Sequence, residues 1–387
     1  MTTIWADEMK MTIKDEGVLI FFIIVPLLYP LLYAWIYNNE VVREVPIAVV
    51  DPSHSHERRE FCRMVNASPD VNVAYHCNNL EEAKELVGRQ KTYGALLFPS
   101  DYAAKIAKGE QATVVIYCDM SLLLTYKALL QTATNVSLAL NSKIQLQRTN
   151  GYTTRDDEIS TTPLKIEEVQ IFNSPGGYGN AILPGVLIVI IQQTLLLGIG
   201  LAAGTSRERH RYARLVPISR HHNGVFRIVT GKSLCYLMIY AVVTAYLALV
   251  VPKFFSFTTL AGGVELLGLL TPFVCACVFF GMTVSCLIKY RENVILIVVF
   301  TSLIFLFLTG ISWPSSNIPP FWQGVSWIFP STFGVRGFLK ISSMGASLNE
   351  CKTEIMALCI QTVVYYFLTC WVYVVQIRRN MKRQNEE

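Results

Sequence analysis

Residues 181–203 read AILPGVLIVIIQQTLLLGIGLAA, an apolar run without one charged side chain. About 20 such residues in a helix cross the roughly 30 Å hydrocarbon core of a bilayer, where only helices and closed barrels satisfy every backbone polar group. Five more runs are nearly as apolar, at 18–37, 226–251, 266–288, 294–311 and 353–375, with Arg227, Lys232 and Glu354 as their charged residues. The chain is 52% hydrophobic and 16% charged, whereas an ordinary soluble domain is about a quarter charged. These features predict an α-helical polytopic membrane protein with six transmembrane helices. Asp7, Glu8, Asp15 and Glu16 accompany Lys10 and Lys14 ahead of the first run, and no small-residue cleavage site follows it. That pattern predicts a retained anchor rather than a cleaved signal.

Charge sets the predicted orientation. The connection 205–225 carries Arg207, Arg209, Arg211, Arg214 and Arg220, the connection 289–293 carries Lys289 and Arg291, and residues 378–383 read RRNMKR. By the positive-inside rule these face the cytoplasm, as do both termini, and 38–178 lies outside. The predicted domains are 1–37, a cytoplasmic segment with the first transmembrane helix; 38–178, an extracytoplasmic insert; and 179–387, a five-helix transmembrane domain with a basic cytoplasmic tail. The net charge of +5 gathers in short connections and the tail, which serves orientation and argues against a nucleic-acid partner.

Residues 38–178 alternate between strand-like and helix-like patterns. VPIAVVDP, VNVAYHC, YGALLFP and ATVVIYCD have strand character, and HERREFCRMVNA, NLEEAKELVGRQ and DYAAKIAKG separate them. The alternation predicts an inserted extracytoplasmic α/β domain with a partly parallel sheet. A long helix over 121–147 then places Leu122, Tyr126, Leu129 and Leu130 on one side. Asp51, His54, His56, His76 and Asp119 match no nucleophile elbow, zincin or phosphate loop, so neither catalysis nor a metal site is predicted. A single disulfide among Cys62, Cys77 and Cys118 is compatible with an external location.

Two connections carry further pattern. Between 205 and 225, Tyr212, Leu215, Val216 and Ile218 lie beside Arg207, Arg211 and Arg214, and Pro217 stops the helix that carries them. A short amphipathic surface helix results. Between 313 and 345, Pro314, Pro319, Pro320 and Pro330 break the backbone among Trp313, Trp322 and Trp327, which predicts short re-entrant or interfacial helices. Within the runs, Gln192, Gln193 and Thr194 face either other helices, as interhelical hydrogen-bond partners, or a pathway, because unpaired polar groups are costly in lipid; with Thr301 and Ser302 they are the candidate pathway-lining residues. Thr230-Gly231-Lys232-Ser233 is not a phosphate loop: Phe226 stands where the first glycine belongs, and Lys232 reads as an interface marker.

The order of these features resembles the membrane subunits of ABC-2 type exporters. The matching residues are Pro26; Leu183-Pro184-Gly185; Arg207-Glu208 with Leu215, Pro217, Gly231 and Lys232; Thr309-Gly310; Pro314; Ile318-Pro319; Pro330; and Gly334-Val335-Arg336-Gly337. One departure is His210-Arg211-Tyr212-Ala213, where such permeases commonly carry Gly-Thr. The resemblance implies a non-catalytic permease of a bacterial inner membrane, exporting an amphipathic or small molecule. It implies ATPase coupling through Arg207, Glu208, Arg209, Arg211, Arg214, Leu215 and Pro217, and an outer gate at Pro314, Pro319, Pro330 and Arg336. It also implies a separate P-loop ATPase that binds ATP and Mg, a second permease chain in a homodimer or heterodimer, and contact with a periplasmic adaptor. The alternative reading is a membrane-anchored receptor or scaffold whose external domain binds a peptide, a phage or an adaptor.

Overall fold

The computed structural model describes residues 2–37, 41–51, 55–148, 171–173, 177–209, 224–286, 288 and 290–386. They fall into two compact units, Met1–Glu40 with Gln170–Glu387, and Val41–Val169.

The smaller unit is built on a four-stranded sheet of order β2-β1-β3-β4, with β1 at Val45–Val50, β2 at Val71–Cys77, β3 at Gly94–Leu97 and β4 at Val115–Cys118. β1 runs parallel to both β2 and β3, and β4 closes the sheet antiparallel to β3. Crossover helices α1 (His56–Asn66) and α2 (Leu80–Gly88) leave β1 and β2 in opposite directions across the sheet, so both faces are covered. This is why β1 is apolar throughout. Val45, Ile47 and Val49 pack with Phe61, Cys62 and Val65 of α1, while Ala48 and Val50 pack with Ala83 of α2 and Ala95 of β3. Ser55 and Asn79 start the two helices, accepting from Arg58 N at 3.3 Å and Glu82 N at 2.8 Å.

Two expectations change here. The helix Leu123–Arg148, α4 after the short α3 (Tyr102–Lys108), buries Leu129, Ala133, Val136 and Leu140, whereas Leu122 and Leu130 are exposed. A stripe spaced by three and four residues meets the sheet, and the leucines off that stripe do not. Cys62, Cys77 and Cys118 are all unbridged. An irregularity in the β1–β2 register between Ile47 and Ala48 turns Cys77 into the core on the face away from Cys62, so the sheet itself separates those two thiols. Burial pushes the Cys62 thiol up to about 11.

The larger unit contains, among the described residues, six helices long and apolar enough to cross a membrane: Glu16–Ile36, Gly179–Glu208, Gly224–Phe254, Gly263–Ser285, Arg291–Leu308 and Lys352–Arg378, here spans 1 to 6. An amino-terminal helix, α0 (Thr2–Lys14), precedes span 1, and α5 (Pro320–Ser326) and α6 (Pro330–Met344) lie between spans 5 and 6. Spans 1 and 3 each contain a π-helical turn, Ile20–Ile24 and Tyr246–Val250, just ahead of Pro26 and Pro252. A wider turn there makes room for a ring that cannot donate to the ladder.

Span 2 is the axis of this unit. Its most apolar stretch is 89% buried, against 22% for span 5 and 28% for spans 1 and 6. It touches spans 1, 3, 4 and 5 and also α6. Close approach is allowed by glycine: a Cβ at Gly198 would lie 1.9 Å from the Phe22 ring, and one at Gly204 would lie 2.9 Å from the Arg291 backbone. Spans 5 and 6 instead expose Phe300, Leu303, Phe367 and Trp371, a surface suited to lipid rather than water.

Candidate functional site

Gln192, Gln193 and Thr194 stand midway along span 2, all buried and about 20 Å from either end at 1.5 Å rise per residue. Gln192 Oε1 accepts a hydrogen bond from the Ser331 backbone N–H at 2.6 Å and faces Cys277 Sγ of span 4 at 3.8 Å. Ser331 is the second residue of α6, so that helix begins level with the middle of span 2 rather than at the edge of the bundle. Irregular backbone at such depth persists only when protein surrounds it. Here Gln361 Nε2 and the Tyr365 hydroxyl of span 6 donate to the Trp327 and Ile328 carbonyls, and Thr332 Oγ1 donates to the Ser326 carbonyl at 2.7 Å.

Within the bundle some polar capacity goes unused. Among the described residues, Gln192 Nε2, both amide atoms of Gln193, Ser331 Oγ and the Tyr240 and Thr244 hydroxyls of span 3 are buried without a hydrogen-bond partner. Tyr240 lies beside Thr194, but its hydroxyl falls outside ordinary hydrogen-bond geometry. Thr194 Oγ1 donates instead to the Ile190 carbonyl at 2.7 Å. Each unmet buried group costs about 1–3 kcal/mol.

A second, charged constellation ties α0 to the bundle. Lys232 of span 3, 5% exposed, pairs with Glu8 of α0, 3% exposed, at 3.0 Å, and the Tyr236 hydroxyl donates to the same carboxylate. One helical stretch further, Asp15 caps span 1, accepts from Thr205 Oγ1 of span 2 at 2.8 Å and pairs with Arg291 of span 5 at 2.7 Å. Burial alone would raise the Asp15 carboxyl, but the Thr205 hydroxyl and the Arg291 guanidinium outweigh it and hold Asp15 below its ordinary value.

The sequence candidates separate accordingly. Of the three polar residues midway along span 2, Gln192 meets α6 at Ser331, next to the buried Pro330, whereas Thr194 lies beside Tyr240 of span 3. Thr301 and Ser302 do not join it: their hydroxyls donate to the Ile297 and Val299 carbonyls of their own half-exposed helix. Pro314 and Pro319 are exposed ahead of α5, and Arg336 is half-buried on α6. Arg207 turns into the bundle, donating to the Cys286 carbonyl and to Gln376 Oε1 of span 6 at 3.2 Å, and Glu208 Oε1 accepts from Arg291 N at 3.2 Å. Arg209 is exposed. Arg211, Arg214, Leu215 and Pro217 lie outside the described residues.

Lys232 gains a partner that its sequence context did not name: the amino-terminal helix brings the Glu8 carboxylate to it. Glu8, Tyr236, Tyr240, Thr244 and Ser331 were not singled out by sequence. The available signal was charge inside or beside an apolar run, which marks function or pairing by default.

Comparison with known proteins agrees with this architecture. The profile of a family described as "ABC-2 family transporter protein" matches residues 17–371. No curated protein matches the chain.

Proposed function

Because the chain belongs to the ABC-2 family of transporter proteins, we propose that it is the permease subunit of an ATP-driven exporter, with the junction of span 2 and α6 as the polar part of its pathway. A permease of this family is a multi-pass membrane component that works with an ATPase partner. The observation that supports the pathway reading is the pair of unpaired polar atoms, Gln192 Nε2 and Ser331 Oγ, on residues that meet where α6 reaches the middle of span 2, inside a unit otherwise closed by apolar side chains.

In this reading the amides and hydroxyls hydrogen-bond to a passing amphipathic molecule, and closure of a partner ATPase dimer moves the spans around them. The cytoplasmic ends of spans 2 and 5 receive that motion, with Arg207 and Glu208 transmitting it into spans 4, 5 and 6 and Arg209, Arg211, Arg214, Leu215 and Pro217 meeting the ATPase. The unit Val41–Val169 lies outside the cell membrane, where an adaptor can reach it. Two permease chains form the complete pathway.

The test is a tag at the carboxyl terminus, solubilisation in mild detergent and mass spectrometry of what co-purifies. A P-loop ATPase in near-stoichiometric amount is the expected result. Its absence, while other transporter complexes in the same extract stay intact, overturns the reading. In the purified complex, Gln193→Leu should leave thermal stability unchanged or raised by up to about 1 kcal/mol, because an orphaned polar group is removed. The same substitution should lower transport-coupled ATP turnover. Loss of stability with normal turnover would make the amide structural.

A further inference from the structure

In the smaller unit a cavity of about 440 Å³ lies between α1 and the parallel β1–β2 pair, reaching from Asp51, His76 and Asn78 at the carboxyl ends of the strands to Val73 and Asn66. Arg58, Arg59 and Arg63 of α1 and His76 of β2 line it, with Asp51 as the carboxylate among its described lining residues. Arg58 is buried and fixed, its Nε on Asp51 at 2.8 Å and its Nη1 within 3.5 Å of His76 Nδ1. Arg59 and Arg63 are exposed, one turn apart on the same helix face, and among the described residues neither forms an ion pair. Lys143, which borders a neighbouring hollow also lined by Arg59 and Arg63, is already neutralised by Glu60. Three guanidinium groups against one carboxylate leave about two positive charges facing the cavity.

We propose that this cavity binds a small phosphate monoester. A phosphate monoester carries a charge of about −1.5 to −2 at neutral pH and presents three strong acceptor oxygens, which matches the uncompensated charge and two guanidinium forks. Inorganic phosphate alone would leave most of the volume empty. Val49, Val73 and Cys62 supply an apolar wall for an organic body. The ester is either a soluble metabolite or a lipid headgroup, since both present the same chemistry. Sequence gave no warning of this site: glutamates at 57 and 60 interleave with the arginines, so no basic run appears until the helix sorts them by face.

The test uses the full chain in uncharged detergent and calorimetric titration with glycerol 3-phosphate and phenyl phosphate at fixed ionic strength, with glycerol and acetate as controls. Saturable binding of both esters at one site is expected, weakened at least about tenfold in the double variant R59A/R63A, since each removes a charge-assisted contact. The charge-matched variant R89A/K108A, altered at exposed positions away from the cavity, should bind as the unmodified chain does. Arg58 is left intact because it is itself buried and paired with buried Asp51. No saturable binding, or equal affinity in R59A/R63A, overturns the proposal. Repeating the titration in nanodiscs identifies the source: competition by phosphatidic acid but not phosphatidylcholine marks a headgroup, and no competition by either marks a soluble ester.

Discussion

Lys232 and Glu8 are the residues whose loss should be felt most sharply. Both are almost fully buried and each is the other's counter-charge. Lys232→Met leaves a carboxylate stranded in an apolar core and should destabilise the protein by about 3–5 kcal/mol in detergent unfolding. Adding Glu8→Gln should recover most of that loss, since removing both charges avoids the stranded ion; no recovery would mean the pair is not the reason for the defect. Asp15 behaves differently because it is partly open to solvent. Its carboxyl is held below the ordinary value in the folded chain, so its contribution is complete above the unfolded value near 3.8 and disappears as pH falls through the folded value. Thermal stability should therefore show an acid step below about pH 4, absent in Asp15→Asn, and a step that persists in that variant would assign it to another carboxylate.

At the scale of elements, span 2 sets the packing distances. Phe22 of span 1 is fully buried against the face of Gly198, and its ring lies edge-on to Tyr236 and Tyr240 at 5.7 and 5.3 Å. A methyl at Gly198 cannot coexist with that ring, so Gly198→Ala should cost about 1–3 kcal/mol by overpacking. Combined with Phe22→Ala, it should cost clearly less than the sum of the two single changes, because the clash is gone. Additive losses would show that the span 1 to span 2 contact is not where the strain falls. The element boundaries themselves follow local rules. The six spans begin and end within a few residues of the apolar runs, and Ser55 and Asn79 start their helices where a capping side chain stands in the sequence. The exception is α4, where composition named leucines on one side but only Leu129 among them met the sheet.

For the whole molecule, family membership and six apolar helices give a membrane transporter, and both follow from local pattern in the chain. The central junction was half visible. Gln192, Gln193 and Thr194 stand out in any reading because amides in the middle of an apolar run are rare, whereas Ser331 looks like one loop serine among several. Their partnership joins positions 139 residues apart, the Tyr236–Glu8 contact spans 228 and the Arg291–Asp15 pair spans 276. The sequence by itself determined the spans, the strands of the smaller unit and the transporter family, because hydrophobic length, alternation and capping are written within a few neighbouring residues. Only the tertiary structure decided which scarce charged and amide groups meet in the interior and which stay unpaired. Those outcomes depend on which helix faces pack together, and a buried polar group's energy is set by the partner that packing delivers.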